Sequence, residues 1–219
     1  MFRQILPNLF LFESPGTGSN VFLLKGKKPV LIDSSAQANS LALKSSLEEA
    51  GVLPEKISMV LHTHGHADHF GGDFLFPHAK IFMHKFDAGF VNKKDFDFTA
   101  ADFILTEHFP KITSFFKSNE TINLGNFKLE VLFTPGHTKG SVCFFEKSLG
   151  LLFSGDTLFL NGFGRTDLPS GNSSELMASL EKISKLDFNF LLPGHGSILQ
   201  GSQKQNIQES LEALGKAFL

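Results

Sequence analysis

The sequence contains no tyrosine and no tryptophan, and its only cysteine is Cys143. Without tyrosine, no phenolic hydroxyl can act as a general acid, an oxyanion donor or a substrate contact. A single cysteine excludes an intrachain disulfide and any cysteine-rich zinc site, so metal ligands have to be histidine and carboxylate side chains. Cys143 lies in an apolar run, where cysteine behaves as a small hydrophobic residue, and we assign it no catalytic role.

Strong charge of either sign is also missing. The chain has 20 basic and 22 acidic residues, which gives a formal net charge of −2 at pH 7. This balance does not supply the phosphate attraction that is typical of nucleic-acid-binding proteins. A nucleic-acid substrate is therefore disfavoured, and we expect a small-molecule substrate.

Long apolar runs are absent from the sequence. None approaches the roughly 20 residues that span a membrane, and the first residues lack a signal-peptide pattern. We therefore expect a cytoplasmic protein without a membrane partner, as a monomer or a homodimer. With 219 residues, 42% of them hydrophobic, the chain can bury a substantial core, and we expect one domain over residues 1–219.

One dense polar stretch, Thr63 to Gly72, directly follows an apolar run that is predicted to be a buried strand, Ile57 to Leu61. We call this stretch the metal loop. It contains four potential metal ligands: His64, His66, Asp68 and His69. In extended chain, side chains two residues apart point the same way, so His64 and His66 can converge on one ion.

The last two ligands of the metal loop, Asp68 and His69, follow too closely to share that geometry. We expect them to turn toward a second ion as the chain bends into a helix that Phe70-Gly71-Gly72 opens. Three imidazoles and a carboxylate at this density are hard to explain by packing, because burying such groups unpaired is costly. Histidine and carboxylate ligands suit zinc, and also iron or manganese.

Three later predicted strands also end at a potential ligand. These ligands are His137, Asp156 and His195, and each lies beside a glycine that allows a tight turn. Because His64 and His195 are far apart in sequence, only a folded domain can assemble this set, which favours an active site over a local structural clip.

Two further features leave alternatives open. Asp33, at the end of another predicted strand, either caps the next turn or orients a ligand histidine. The phenylalanine-rich residues 92–118 are interpreted as a pair of amphipathic helices packed on a sheet, with a cover over the active site or a dimer contact as the alternative. Four histidines outside the motifs are expected at surface or packing positions: His62, His78, His84 and His108.

The pattern His64-x-His66-x-Asp68-His69, followed in order by His137, Asp156 and His195, resembles the metallo-β-lactamase superfamily over essentially the whole chain. The resemblance implies an α/β fold, a four-layer αββα sandwich of two mixed β-sheets flanked by helices. The segments Gly155 to Phe159 and Gly162 to Asp167 are similar to those of short, single-domain hydrolases of the glyoxalase II type.

By this resemblance, His64, His66 and His137 bind a first divalent ion. Asp68, His69 and His195 bind a second ion, and Asp156 bridges the two. Zinc is the expected metal, with iron or manganese as alternatives. The implied reaction is hydrolysis of a thioester such as a hydroxyacyl-glutathione by a metal-bridging hydroxide, with Asp68 orienting the attacking water.

The resemblance also points to a substrate contact and to rival activities. Arg165 aligns with a basic residue that glyoxalase II enzymes use near the thiol end of the substrate, so it either binds a substrate carboxylate or only pairs with Asp167. A phosphodiesterase, ribonuclease or lactonase on the same scaffold is the alternative. A β-lactamase is disfavoured because Asp156 is present. A persulfide dioxygenase is disfavoured because all seven expected ligands are present.

Overall fold

The computed structural model describes residues 1–117, 120–201 and 203–216. They form two compact units. The first unit holds the described part of residues 1–116 and 123–127, and the second holds that of residues 117–122 and 128–219. Each unit has its own mixed sheet. That the chain acts as a single domain stays a prediction.

The sheet of the first unit has seven strands in sequence order. They are β1 (Arg3–Leu6), β2 (Leu9–Phe12), β3 (Val21–Leu24), β4 (Val30–Ile32), β5 (Met59–Leu61), β6 (Lys80–Met83) and β7 (Ser114–Phe115). The strands from β1 to β4 pair antiparallel, as alternating apolar runs separated by short turns predict. The strands from β4 to β7 pair parallel.

Five α-helices lie in the described part of the first unit. They are α1 (Ser40–Glu49), α2 (Ala67–Phe70), α3 (Lys85–Lys93), α4 (Phe96–Thr99) and α5 (Ala101–Ile104). The structure differs from the prediction that Phe70-Gly71-Gly72 opens a helix, because α2 begins at Ala67 and ends at Phe70, and only the short 3-10 helix Asp73–Leu75 follows Gly72. The amide of Gly71 donates to the carbonyl of Ala67 and closes a single turn, so Asp68 and His69 lie within the helix.

The parallel strands of the first unit explain which residues meet. The carboxyl ends of parallel neighbours lie at the same edge of a sheet. Asp33 follows β4, the metal loop follows β5, and α3 follows β6 after His84. The topology therefore brings Asp33, the metal loop and the start of α3 to one edge.

The sheet of the second unit has the order β15-β14-β11-β10-β9-β8. Its strands are β8 (Thr121–Asn123), β9 (Lys128–Phe133), β10 (Val142–Glu146), β11 (Leu151–Gly155), β14 (Phe190–Pro193) and β15 (Leu199–Gln200). The strands β12 (Leu158–Phe159) and β13 (Gly162–Phe163) form a hairpin, and the helices are α6 (Ser173–Ile183) and α7 (Gln203–Lys216). The predicted last helix, Ser202 to Phe218, has its first residue and its last two outside the described residues.

Strand directions also bring predicted ligands to one edge of the sheet in the second unit. Because β10 is antiparallel to both β9 and β11, those two strands run the same way, and β14 is parallel to β11. The chain leaves these three strands toward His137, Asp156 and His195 at a common edge.

Cys143 on β10 is fully buried, and burial raises the pKa of its thiol to about 11, which fits a packing role.

The phenylalanine-rich residues 92–118 form two one-turn helices and the short strand β7, within their described part. Phe98 is buried, stacks on Phe90 and lies 6.0 Å from the ring of His66. Phe103 and Phe115 are exposed. The segment thus contributes two aromatic side chains to the packing of the metal loop, Phe98 and also Phe109, whose ring centroid lies 5.5 Å from that of Phe70, and it leaves others at the surface.

Candidate metal centre

The metal loop brings its three imidazoles into contact. The rings of His64 and His66 have centroids 4.7 Å apart, and those of His64 and His69 are 4.0 Å apart. Nε2 of His64 lies 3.1 Å from Nδ1 of His66, and Oδ2 of Asp68 lies 3.9 Å from Nε2 of His69. The three histidines are buried and Asp68 is partly exposed. All four predicted ligands of this unit therefore cluster.

Asp33 holds the ring of one predicted ligand, which favours the second of the two roles that its position allows. Its Oδ2 accepts a hydrogen bond from Nδ1 of His69 at 2.9 Å, so Nε2 of that ring is left to face an ion. The hydroxyl and amide of Thr63 donate to the same carboxylate at 2.8 and 2.9 Å. Asp33 has a left-handed backbone, with φ of 58°, which aims its side chain at the metal loop.

The electrostatics of this network favour a charged carboxylate. Burial by itself raises the pKa of Asp33, but the nearby His69 and the hydrogen bonds from His62 and His69 lower it to about 2. Burial likewise opposes protonation of His62, but the charge of Asp73 and the bonds to Asp33 and Asp73 raise the pKa of His62 to about 9.

Asp87 holds the backbone of the metal loop between its first two ligands. The amide of Gly65 donates to Oδ2 of Asp87 at 2.9 Å, and Asp87 is fully buried on α3. A Cβ on Gly65 would lie 2.9 Å from Cβ of Asp87 and 3.1 Å from Cε1 of Phe98. Glycine at this position therefore lets α3 and Phe98 approach the loop closely.

In the second unit, one carboxylate oxygen lies between two imidazoles. Oδ2 of Asp156 is 3.6 Å from Nε2 of His137 and 3.6 Å from Nε2 of His195. Nδ1 of His137 donates to the carbonyl of Arg165 at 2.7 Å, which directs its Nε2 toward Asp156. His137 is buried and His195 is partly exposed, so solvent reaches this group at His195.

These donors fit divalent metal ions. Two nitrogen ligands of a tetrahedral zinc ion with bonds of about 2.0–2.1 Å lie roughly 3.3 Å apart, and His64 Nε2 and His66 Nδ1 are 3.1 Å apart. Metal-binding histidines also commonly donate their second ring nitrogen to a carboxylate or a carbonyl, as His69 and His137 do. Each of the seven predicted ligands belongs to a group of His and Asp side chains that could hold an ion.

Arg165 lies at the surface. Its Nε and one terminal nitrogen donate to the two carboxylate oxygens of Asp167 at 2.7 and 2.6 Å, and both side chains are more than half exposed. The guanidinium lowers the pKa of Asp167 to about 2. In the structure the side chain makes this pair, while its backbone carbonyl contacts His137.

Three contacts of this centre were not anticipated from the sequence: the pair formed by His62 and Asp73, the bond from Gly65 to Asp87, and the carbonyl of Arg165. The prediction of a packing or surface position for His62 holds in that the side chain is fully buried. Asp73 and Asp87 belong to no ligand motif, so only the sheet topology reveals their contacts.

Comparison with known proteins identifies the class. The metallo-β-lactamase superfamily profile matches residues 14–195. The chain is 30% identical to a probable metallo-hydrolase of Methanocaldococcus jannaschii, MJ0888, over 84% of this chain and 90% of the relative. It is 32% identical to the hydroxyacylglutathione hydrolase GloC of Haemophilus influenzae, over 78% and 81% of the two chains.

A solved structure extends the similarity to three dimensions. The structure of TTHA1623 in a di-iron-bound form has a TM-score of 0.72 at 27% identity, covering 96% of this chain and all of that one. The chain belongs to the metallo-β-lactamase superfamily, a superfamily of metal-dependent hydrolases that bind divalent metals. The predicted fold class is confirmed, with two mixed sheets flanked by helices. Among the residues that the structure describes, no helix is long and apolar enough to cross a membrane.

Proposed function

We propose that the chain is a binuclear metal-dependent hydrolase of thioesters such as a hydroxyacyl-glutathione. The observation that carries the proposal is the position of Asp156, whose Oδ2 lies 3.6 Å from a ring nitrogen of both His137 and His195. A carboxylate oxygen at equal distances from two imidazoles that are assigned to different ions is the arrangement expected of a ligand shared by both ions. The similarity to GloC supports the thioester.

The ligand assignment is part of this proposal. His64, His66 and His137 bind the first ion, Asp68, His69 and His195 bind the second, and Asp156 bridges them. Zinc is the expected metal. Iron and manganese accept the same donors, and the similarity to a protein solved with two iron ions keeps iron as the main alternative.

The side chains of the chain supply the rest of the mechanism. Divalent ions held by these residues would lower the pKa of a bound water toward neutrality and would polarise the acyl carbonyl. Asp68, partly exposed beside His69, orients the attacking water by accepting its hydrogen bond. Asp33 and the carbonyl of Arg165 each accept a hydrogen bond from Nδ1 of a ring, that of His69 and that of His137, and leave Nε2 of both rings for the proposed ions.

A thioester suits a site without a general acid. A thiol has a pKa near 8.5, far below that of an alcohol, so a thiolate leaves with little help from a proton donor. The sequence has no tyrosine to act as such a donor. Of the histidines outside the ligand set, His62 is fully buried and bound to Asp33 and Asp73. The chemistry available therefore matches a good leaving group.

The test is a hydrolysis panel on protein of measured metal content. The substrates are a hydroxyacyl-glutathione, a lactone, a β-lactam and a simple phosphodiester. We expect kcat/KM for the thioester to exceed the others by at least about 100-fold, and the activity to disappear when a chelator removes the metal. Cleavage of the phosphodiester without cleavage of the thioester would contradict the proposal and favour the phosphodiesterase alternative.

Replacing Arg165 tests the proposed substrate contact. In R165Q we expect KM for a carboxylate-bearing thioester to rise by about 10-fold, because a charge-assisted hydrogen bond is lost. The value of kcat should stay within about twofold, since the backbone carbonyl that orients His137 is retained. Steady-state kinetics with a charged and an uncharged thioester measure this difference.

The matched control is R3Q, which removes another exposed arginine that pairs with a carboxylate, that of Glu13. It should leave both constants unchanged. An equal rise of KM for the uncharged thioester, or no rise in R165Q, would show that Arg165 only pairs with Asp167.

A further inference from the structure

We propose that His62 and Asp73 are positioning residues that close the metal loop at its two ends and thereby hold His69 for the second ion. This inference rests on the metal centre proposed above and adds two residues that belong to no ligand motif. His62 directly precedes the metal loop and Asp73 directly follows it. Their side chains meet, with Nε2 of His62 2.8 Å from Oδ2 of Asp73.

The contact joins the ends of a ten-residue loop. Thr63 to Gly72 carries four predicted ligands, and its position depends on where its two ends are fixed. The first end follows β5, and the second leads from α2 into the short helix Asp73–Leu75. Tying the ends together removes conformations in which α2 swings away from the strand, and α2 is the element that carries Asp68 and His69.

The contact continues to the ligand ring. Nδ1 of His62 lies 3.4 Å from Oδ1 of Asp33, whose Oδ2 accepts from Nδ1 of His69 at 2.9 Å. His62 thus lies between two carboxylates, one fixed to the end of the loop and one holding a predicted ligand. The side chains of Asp73, His62, Asp33 and His69 are all at least 94% buried, so solvent does not compete for these bonds.

The partners of Asp73 argue for a specific role of this contact. Among the described residues, His62 is the only hydrogen-bond partner of its side chain, and the second oxygen, Oδ1, has none. A buried carboxylate with one unsatisfied oxygen is costly, and an apolar side chain would fill the same place more cheaply. Retaining Asp73 is understandable if its bond to His62 determines the geometry of the loop.

The decisive variant removes both members of the pair. H62L alone would leave a buried unpaired carboxylate and could simply unfold the protein. The double variant H62L/D73L replaces the pair by apolar side chains, while Asp33 keeps its bonds from Thr63 and His69. D73N is the conservative variant, because its amide oxygen still accepts a hydrogen bond from His62.

The measurement is zinc binding to metal-free protein by competition with a chromophoric chelator, with urea unfolding of the same samples. We expect wild-type protein to bind two equivalents, and H62L/D73L to bind the second about 10–100-fold more weakly with little change in the first. D73N should bind both as the wild type does. V60A is the control for stability, because Val60 lies in the apolar core on the same strand, β5, and it should retain both affinities.

Two outcomes would overturn the inference. One is a double variant with both affinities unchanged. The other is a V60A protein that loses the second ion as strongly as H62L/D73L at equal loss of stability, which would mean that the pair acts through stability alone. Failure of wild-type protein to bind a second zinc ion would instead overturn the binuclear centre itself, and the inference with it.

Discussion

Replacing Asp156 with alanine is expected to abolish binding of two metal ions and turnover together. The proposed bridging carboxylate would be lost from between His137 and His195, from whose Nε2 atoms it lies 3.6 Å. We expect at most one equivalent of metal to remain bound and kcat/KM to fall by at least about 10³-fold, because charge stabilisation by metal ions contributes several kcal/mol. Elemental analysis and thioester hydrolysis on the same sample measure both effects.

The matched control is D187A, which removes an exposed aspartate of the same unit. It should keep the wild-type metal content and activity. Retention of two metal ions and full activity in D156A would refute the bridging assignment. A variant that keeps two ions but loses activity would also contradict it, because binding of two ions and turnover are both assigned to this one carboxylate.

Replacing Gly164 with alanine is expected to damage the centre although no predicted ligand is replaced. A Cβ at this position would collide with the backbone carbonyl of Asp156 and lie 3.0 Å from Cγ of His137. Relieving the collision has to move the backbone that carries Asp156 or the ring of His137. We expect a loss of about 1–3 kcal/mol in the free energy of unfolding and at least about 10-fold weaker metal binding.

Gly162 provides the control within the same segment. A Cβ there would meet nothing within 4 Å, so G162A should change the free energy of unfolding by less than about 0.5 kcal/mol. Its metal affinity should equal that of the wild type. Equal metal affinities in G164A and G162A would show that the close approach at Gly164 does not position the ligands.

The sequence indicated which His and Asp side chains lie close together within each unit, because the signals for this grouping are local. A strand followed by His64, His66, Asp68 and His69 is a pattern in neighbouring residues, and the structure gathers these four side chains in the first unit. His137, Asp156 and His195 each follow a strand, and their grouping in the second unit follows from strand direction. The joining of the two groups into one binuclear centre stays a proposal.

Apart from the contact of Asp33 with His69, which the sequence left as one of two alternatives, the supporting contacts could not be predicted, because they depend on residues far apart in sequence. His62 meets Asp33 across the parallel pair β4 and β5, and Gly65 meets Asp87 from the helix after β6. The bond from His137 to Arg165 uses a backbone carbonyl, which no side-chain pattern reveals. The start of α2 at Ala67, before Phe70-Gly71-Gly72, was missed because a single helical turn is too short to show apolar periodicity.

Zinc reconstitution tests the central claim most directly. Metal-free protein is titrated with zinc while the rate of hydroxyacyl-glutathione hydrolysis is followed. We predict that the rate reaches its maximum only when two equivalents are bound, and that protein without metal is inactive. Full activity with one equivalent, or thioester hydrolysis by the metal-free protein, would contradict a binuclear metal-dependent hydrolase.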